Sequence, residues 1–340
     1  MSLPTTGPET LGGTSEETAL VDPNSSTAKE ISGKSPMRIA LGRLLRDKIA
    51  VVCAIVAFIF VLIALFAGVI SKVLGVSLET PFASSVLDML NGGLPKEGPP
   101  LHGFDPDHPF GIAPRTGEDN LAYWLYGCRT SMIIAGSATL VAATVGIVIG
   151  LVAGFTGGLV DKILSFVTDL FLTIPFLLAA LTLAPIISER FSTSPHYFTI
   201  QRWTLIGVLA GFGWMGVARL IRGEVLSLRE REFVQAARVL GMPTRRILVK
   251  ELLPNLAAPI VVSVSLMLPA FVALEAGLAF LGIGVTDGAS WGRTIDLAVP
   301  YFDTYPLYLY EPMIGITLLV LSLNLLGDAI RDALDPKTRR

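Results

Sequence analysis

The sequence predicts an all-α polytopic membrane protein with six transmembrane helices, and three observations predict it. Of its 340 residues, 52% are hydrophobic and 16% charged, where soluble domains carry roughly 25% charged residues. Six apolar runs of plausible length, against the ~20 residues a bilayer requires, are separated by polar segments. Lys and Arg gather on alternate segments, as the positive-inside rule demands of cytoplasmic flanks. The mean hydropathy, +0.64, agrees.

Residues 1–36 are rich in Thr, Ser, Gly, Pro and Glu. They hold too little apolar surface to order themselves and read as a disordered cytoplasmic tail. Residues 28–35, AKEISGKS, fit a loose phosphate-loop pattern. A working loop needs a strand before it and a helix after it, and VDPNSST is no strand, so the match is read as coincidence. Arg38, Arg43, Arg46 and Lys48 then precede the first span, 49–70. The segment is too long and too far from the start for a signal peptide, and its basic flank puts the N-terminus in the cytoplasm.

Residues 71–130 form a polar, Pro/Gly-rich, acidic region, predicted to be extracytoplasmic and to carry structure of its own. His102, His108 and His196 are expected as solvated surface rather than a metal site. Cys53 and Cys128 make no disulfide framework; Cys53, in an apolar run, reads as a small packing residue.

The membrane core is expected over 131–330. In its first run, 131–155, Gly136, Gly146, Gly150 and Gly154 have the spacing that lets membrane helices approach closely. Gly157 and Gly158 turn the chain, with Asp161 and Lys162 beside them. The next run, 163–187, is interrupted by Pro175, and 189–203 is a short outer loop. The fourth span, 204–220, leads into a stretch holding Arg219, Arg222, Arg229, Arg231, Arg238, Arg245, Arg246 and Lys250. That cluster marks the cytoplasmic side, as does the parity counted from the N-terminus. The fifth span, 256–284, contains Pro259, Pro269 and Glu275. An ionisable group inside a membrane helix costs about 2.5–3.5 kcal/mol on insertion scales, so Glu275 should face the bundle interior. It reads either as a pathway or gating residue or as a structural hydrogen bond between helices; Asp169, in the third span, has the same two readings. An outer loop with Asp287, Trp291, Asp296 and Asp303 precedes the sixth span, 313–326. Residues 331–340 end in Lys337, Arg339 and Arg340, which keep the C-terminus inside.

Between spans four and five lies a charged island, 230–255, EREFVQAARVLGMPTRRILVKELLPN. Phe233, Ala236, Ala237 and Leu240 share one face at helical period. Gly241 stops that helix, because glycine takes the left-handed C′ position cheaply. Pro243 opens a second helix, where its missing N–H costs nothing, and Pro254 ends it. The result is a cytoplasmic helical hairpin whose exposed end carries two alanines that another backbone can approach.

QAARVLG followed by ELLPN resembles the "EAA" coupling loop of ABC-importer permeases, with Ala236, Ala237, Gly241, Leu253 and Pro254 in register. Gln235 stands where that family has its leading glutamate. ARLIRGEVLSLREREFVQAARVLG, ALEAGLAFLGIGV and NLLGDAIRDALDP are similar to the matching segments of the dipeptide/oligopeptide/nickel class, in particular its second ("C-type") permease. The resemblance covers about residues 36–336. It is weakest over 71–121, where HPFG and LYGCRTS are kept but Ile112–Ala113–Pro114 and Glu118–Asp119–Asn120 replace the expected middle.

The resemblance implies a type I ABC-importer permease fold in the cell (inner) membrane. It implies a heterodimer with a second permease subunit, two ATPase subunits that seat the hairpins, and an extracytoplasmic substrate-binding protein that delivers peptides. Phe233, Gln235, Ala236, Ala237, Leu240, Gly241, Leu253 and Pro254 would dock on the ATPase, with Arg238 and Glu251 as rim charges. ATP and Mg would bind to the partner ATPases and no cofactor to this chain. Nickel, haem or glutathione as cargo, an ion-coupled secondary transporter using Glu275 and Asp169 as relays, and a non-transporting scaffold are the other readings. No nucleophile–base pair or metal-ligand spacing suggests an enzyme, and no basic stripe with interleaved aromatics suggests nucleic acid.

Overall fold

The computed structural model describes residues 36–78, 83–285 and 288–335. The tail, the phosphate-loop-like stretch, Asp287 and the terminal Lys337, Arg339 and Arg340 lie outside the described residues. A short helix, α1 (Pro36–Leu44), leads into α2 (Lys48–Leu74), which Asp47 caps by accepting from Ile49 N at 2.9 Å. An antiparallel pair, β1 (Leu87–Asp88) and β2 (Leu94–Pro95), follows. Then come α3 (Asn120–Thr156), α4 (Gly158–Thr173), α5 (Phe176–Arg190) and α6 (Tyr197–Leu228). The hairpin helix α7 (Glu232–Val239), α8 (Ala257–Phe280), α9 (Trp291–Ala298) and α10 (Pro306–Leu334) complete the chain.

Among the described residues, α2, α3, α6, α8 and α10 are each long and apolar enough to cross a bilayer. The sixth expected span is the pair α4 and α5, bent by 84°. The bend has a local cause. Pro175 pushes the residue before it out of the helical region, and Ile174 sits at φ −80°, ψ 120°. Six spans result if the bent pair counts as one.

The helices overrun the apolar runs. α3 starts eleven residues before the expected run at 131, and α6 extends beyond 204–220 at both ends. Polar and aromatic residues that read as loop are helical because neighbouring chain packs on them, as Trp291 does on Trp124. The outer segment after α8 is likewise not all loop. Trp291–Ala298 is helical, and Trp291 is wholly buried.

α3 and α6 form the central pair, with α8 and α10 packed alongside. Gly146, Gly150 and Gly154 make the α3–α6 contact possible. A Cβ at Gly150 would lie 2.7 Å from Ala218 O and 2.8 Å from Ile221 Cβ, and a Cβ at Gly146 would lie 2.6 Å from Trp214 O. At Gly136 it would meet nothing within 4 Å, so that glycine takes no part.

At the end away from the hairpin, aromatic rings tie the outer chain to the helices. Trp291 Nε1–H donates to Trp124 O at 3.0 Å, and Trp124 Nε1–H donates to Glu311 O at 3.0 Å. His108, expected as plain surface, is half-buried with Nδ1 2.6 Å from Asp119 Oδ2. Asp119 in turn caps α3, accepting from Ala122 N at 2.8 Å. The pairing was hidden because the two residues stand eleven apart in irregular chain.

Candidate functional site

The hairpin is built by local rules. α7 ends in a Schellman motif: Met242 N donates to Ala237 O at 3.0 Å and Gly241 N to Arg238 O at 2.9 Å. Gly241 stands at φ 73°, which a side chain resists. Pro243 is one residue earlier than expected, at the cap (φ −63°, ψ 142°) rather than inside the turn. The second limb runs Thr244–Arg246, then a wide π turn over Ile247–Leu252, then Leu253–Asn255. Pro254 therefore does not end the limb. The wider turn gives its ring room that an α-turn denies, and Leu253 N reaches back to Leu248 O. The break falls at Leu256, just before α8.

The expected docking face divides in two. Val234 and Ala237 point inward, at 0% and 5% exposure, into a cluster with Leu151 of α3, Val217, Ile221 and Val225 of α6, and Ile247, Leu252 and Leu256. Ala237 is thus a packing residue here, not an outward contact; a side chain at i+3 from Val234 is drawn to the apolar interior. Phe233, Ala236 and Leu240 remain outward. Leu240 is 82% exposed and its neighbour Val239 88%. Val239 was missed because it lies off the stripe that contains Phe233. Gln235 is exposed and donates from Nε2 to Glu230 O at 3.3 Å. Leu253 and Glu251 are half-buried, and Pro254 is exposed.

The hairpin is braced to the bundle by cations. The Arg238 guanidinium lies 4.6 Å over the Phe155 ring at the end of α3. Arg229 Nη1 donates to Gly154 O at 3.1 Å, a good site for a cation because helix C-termini carry unpaired carbonyls. Arg238 therefore makes a contact within the chain, which a reading of it as a rim charge did not foresee.

The two membrane carboxylates part company. Glu275 of α8 is 1% exposed and accepts from Ser290 Oγ at 3.1 Å. Ser131 of α3 also stands beside the carboxyl, and its Oγ and Glu275 Oε2 are both sealed from solvent. Asp169 of α4 is exposed and pairs with Arg219 of α6 at 2.5 Å. The structure does not bring the two acids into one site.

Residues 146–340 match the family described as "binding-protein-dependent transport system inner membrane component". Residues 35–82 match the "N-terminal TM domain of oligopeptide transport permease C". The oligopeptide transport system permease protein OppC of Bacillus subtilis is 31% identical over 93% of this chain and 95% of its own length. The protein of that name from Mycobacterium tuberculosis is 36% identical over 66% of this chain and 74% of its own. The dipeptide transport system permease protein DppC of Bacillus subtilis is 33% identical over 69% and 70%.

Proposed function

This chain belongs to the family of binding-protein-dependent transport system inner membrane components, and from that premise we propose that it is the permease subunit through which an ATP-driven importer passes di- and oligopeptides. Peptide cargo is proposed from the relatives, an oligopeptide permease that aligns over 93% of this chain and a dipeptide permease that aligns over 69%. A second permease completes the path, an extracytoplasmic binding protein delivers cargo, and two ATPase subunits hold ATP and Mg. This chain holds neither. Both termini and the hairpin lie in the cytoplasm, on the positive-inside reading of residues 219–250.

The observation that carries the mechanism is the hairpin's two-sidedness. Its inner face is packed against α3 and α6, so it moves with them. Its outer face offers Phe233, Val239 and Leu240, large apolar groups that water disfavours and a partner groove would cover. ATP-driven closure of the ATPases shifts the equilibrium of the permease only if the hairpin binds the two ATPase states differently. Relay by Glu275 or Asp169 has less support, since one carboxyl is bonded to Ser290 and the other paired with Arg219.

The test is uptake of a labelled tripeptide by vesicles holding the whole complex. Uptake should survive collapse of ion gradients and stop on ATP depletion. Uptake that follows an ion gradient instead would overturn the reading.

A further inference from the structure

Apolar packing holds α4 at its far end, where Phe171 lies 6.2 Å from the rings of Phe212 and Trp214 of α6, but little of its first half, where Leu159, Ile163 and Phe166 are exposed. There charge joins it to α6. Arg222 donates from Nε and Nη2 to the two Asp161 oxygens at 2.5 and 2.9 Å, a bidentate pair. Ser165 Oγ supports the same carboxylate at 3.2 Å. About two turns further along α4, Asp169 accepts from Arg219. The Asp161–Arg222 pair is the more sheltered, at 16% and 34% exposure. It therefore dominates, because exposed pairs contribute little.

The same stretch of α6 carries Val217, Ile221 and Val225, which pack on Val234, Ala237 and Ile247 of the hairpin. Hairpin and inner α6 thus form one packed unit. Beyond α4, helical structure is interrupted at Ile174 and Pro175, both extended. We infer that Asp161, Arg222, Asp169 and Arg219 are positioning residues, a two-point ionic clasp that passes displacement of the hairpin from α6 to the part of α4 ahead of the bend at Ile174–Pro175. The inference rests on the reading that ATPase subunits move the hairpin.

Charge exchange tests it in the whole complex in lipid vesicles, with peptide uptake and ATP hydrolysis both measured. Asp161→Arg and Arg222→Asp alone should each cut uptake roughly tenfold while hydrolysis stays within about twofold of wild type. The double exchange should recover most of the uptake, as coupled pairs do. Asp169→Arg with Arg219→Asp, away from the start of α4, should behave likewise with smaller losses. The clasp is overturned if the single variants transport normally, if both exchanged pairs are no better than their singles, or if hydrolysis falls in step with uptake. Failure of the parent reading looks different: Leu240→Asp would then leave ATP-dependent uptake intact.

Discussion

Leu240 and Ala237 are three residues apart on one short helix and have opposite fates. Leu240 is open to solvent, and Ala237 is sealed against α3 and α6. Ala237→Glu should thus harm the fold before it harms docking, burying a charge among apolar groups. Its apparent melting temperature in detergent should fall, whereas that of Leu240→Asp should not. Glu275 gives a second expectation. Its carboxyl oxygen takes a hydrogen bond from Ser290, a role an amide also fills. Glu275→Gln should keep uptake within about threefold of wild type. Glu275→Ala leaves a cavity and an unpaired Ser290 hydroxyl, and should destabilise by about 2–4 kcal/mol, read by thermal unfolding. A hundredfold loss of uptake in Glu275→Gln would make the charge itself functional. Periodicity alone could place these residues on a helix but not assign the face. Two overlapping apolar stripes on α7 satisfy the helical period, and only the bundle decides which one it covers.

At the scale of elements, the α3–α6 seam is set by sequence more directly than any other contact. Glycines four apart on α3 admit carbonyls and Cβ atoms of α6 to distances a side chain cannot share. Gly150→Val should destabilise by about 3 kcal/mol or more, at or above the top of the range typical of overpacking, because the atoms it meets include the backbone of Ala218 and Arg222. Gly136→Val, in open space, should be near neutral. Comparable melting temperatures for the two would refute the close-packed seam. The spacing made Gly146, Gly150 and Gly154 legible in advance. It also falsely included Gly136, since a small residue says only that a helix is able to approach. The bend at Ile174–Pro175 was legible as an interruption but not as an 84° turn. The π turn before Pro254 was not legible, because the local clash of a proline ring with the carbonyl four residues back is relieved equally by a helix stop, a kink or a wider turn.

For the whole molecule, hydropathy located the five long apolar helices and the bent pair where the sixth span was expected, but not the full length of the helices or the structure of the segments between them. The overrun of α3, the burial of Trp291 and the His108–Asp119 pair depend on contacts between segments far apart in sequence. Topology is checked by placing a cysteine at Arg245, on the exposed second limb, or at the exposed Phe104. The native Cys53 and Cys128 are buried and should stay silent. An impermeant maleimide should label Phe104→Cys from outside intact cells and Arg245→Cys only in inverted vesicles.

The central claim is that an outward apolar apex on an inwardly packed hairpin joins this chain to the ATPases. Affinity purification of the complex measures it directly, comparing ATPase subunits recovered with wild type and with Leu240→Asp. The account expects Leu240→Asp to lose about half of the ATPase, the share seated on this chain rather than on the second permease, at an unchanged melting temperature, consistent with the loss of one buried hot-spot contact of about 2 kcal/mol. Full recovery of the ATPases on that variant would contradict it.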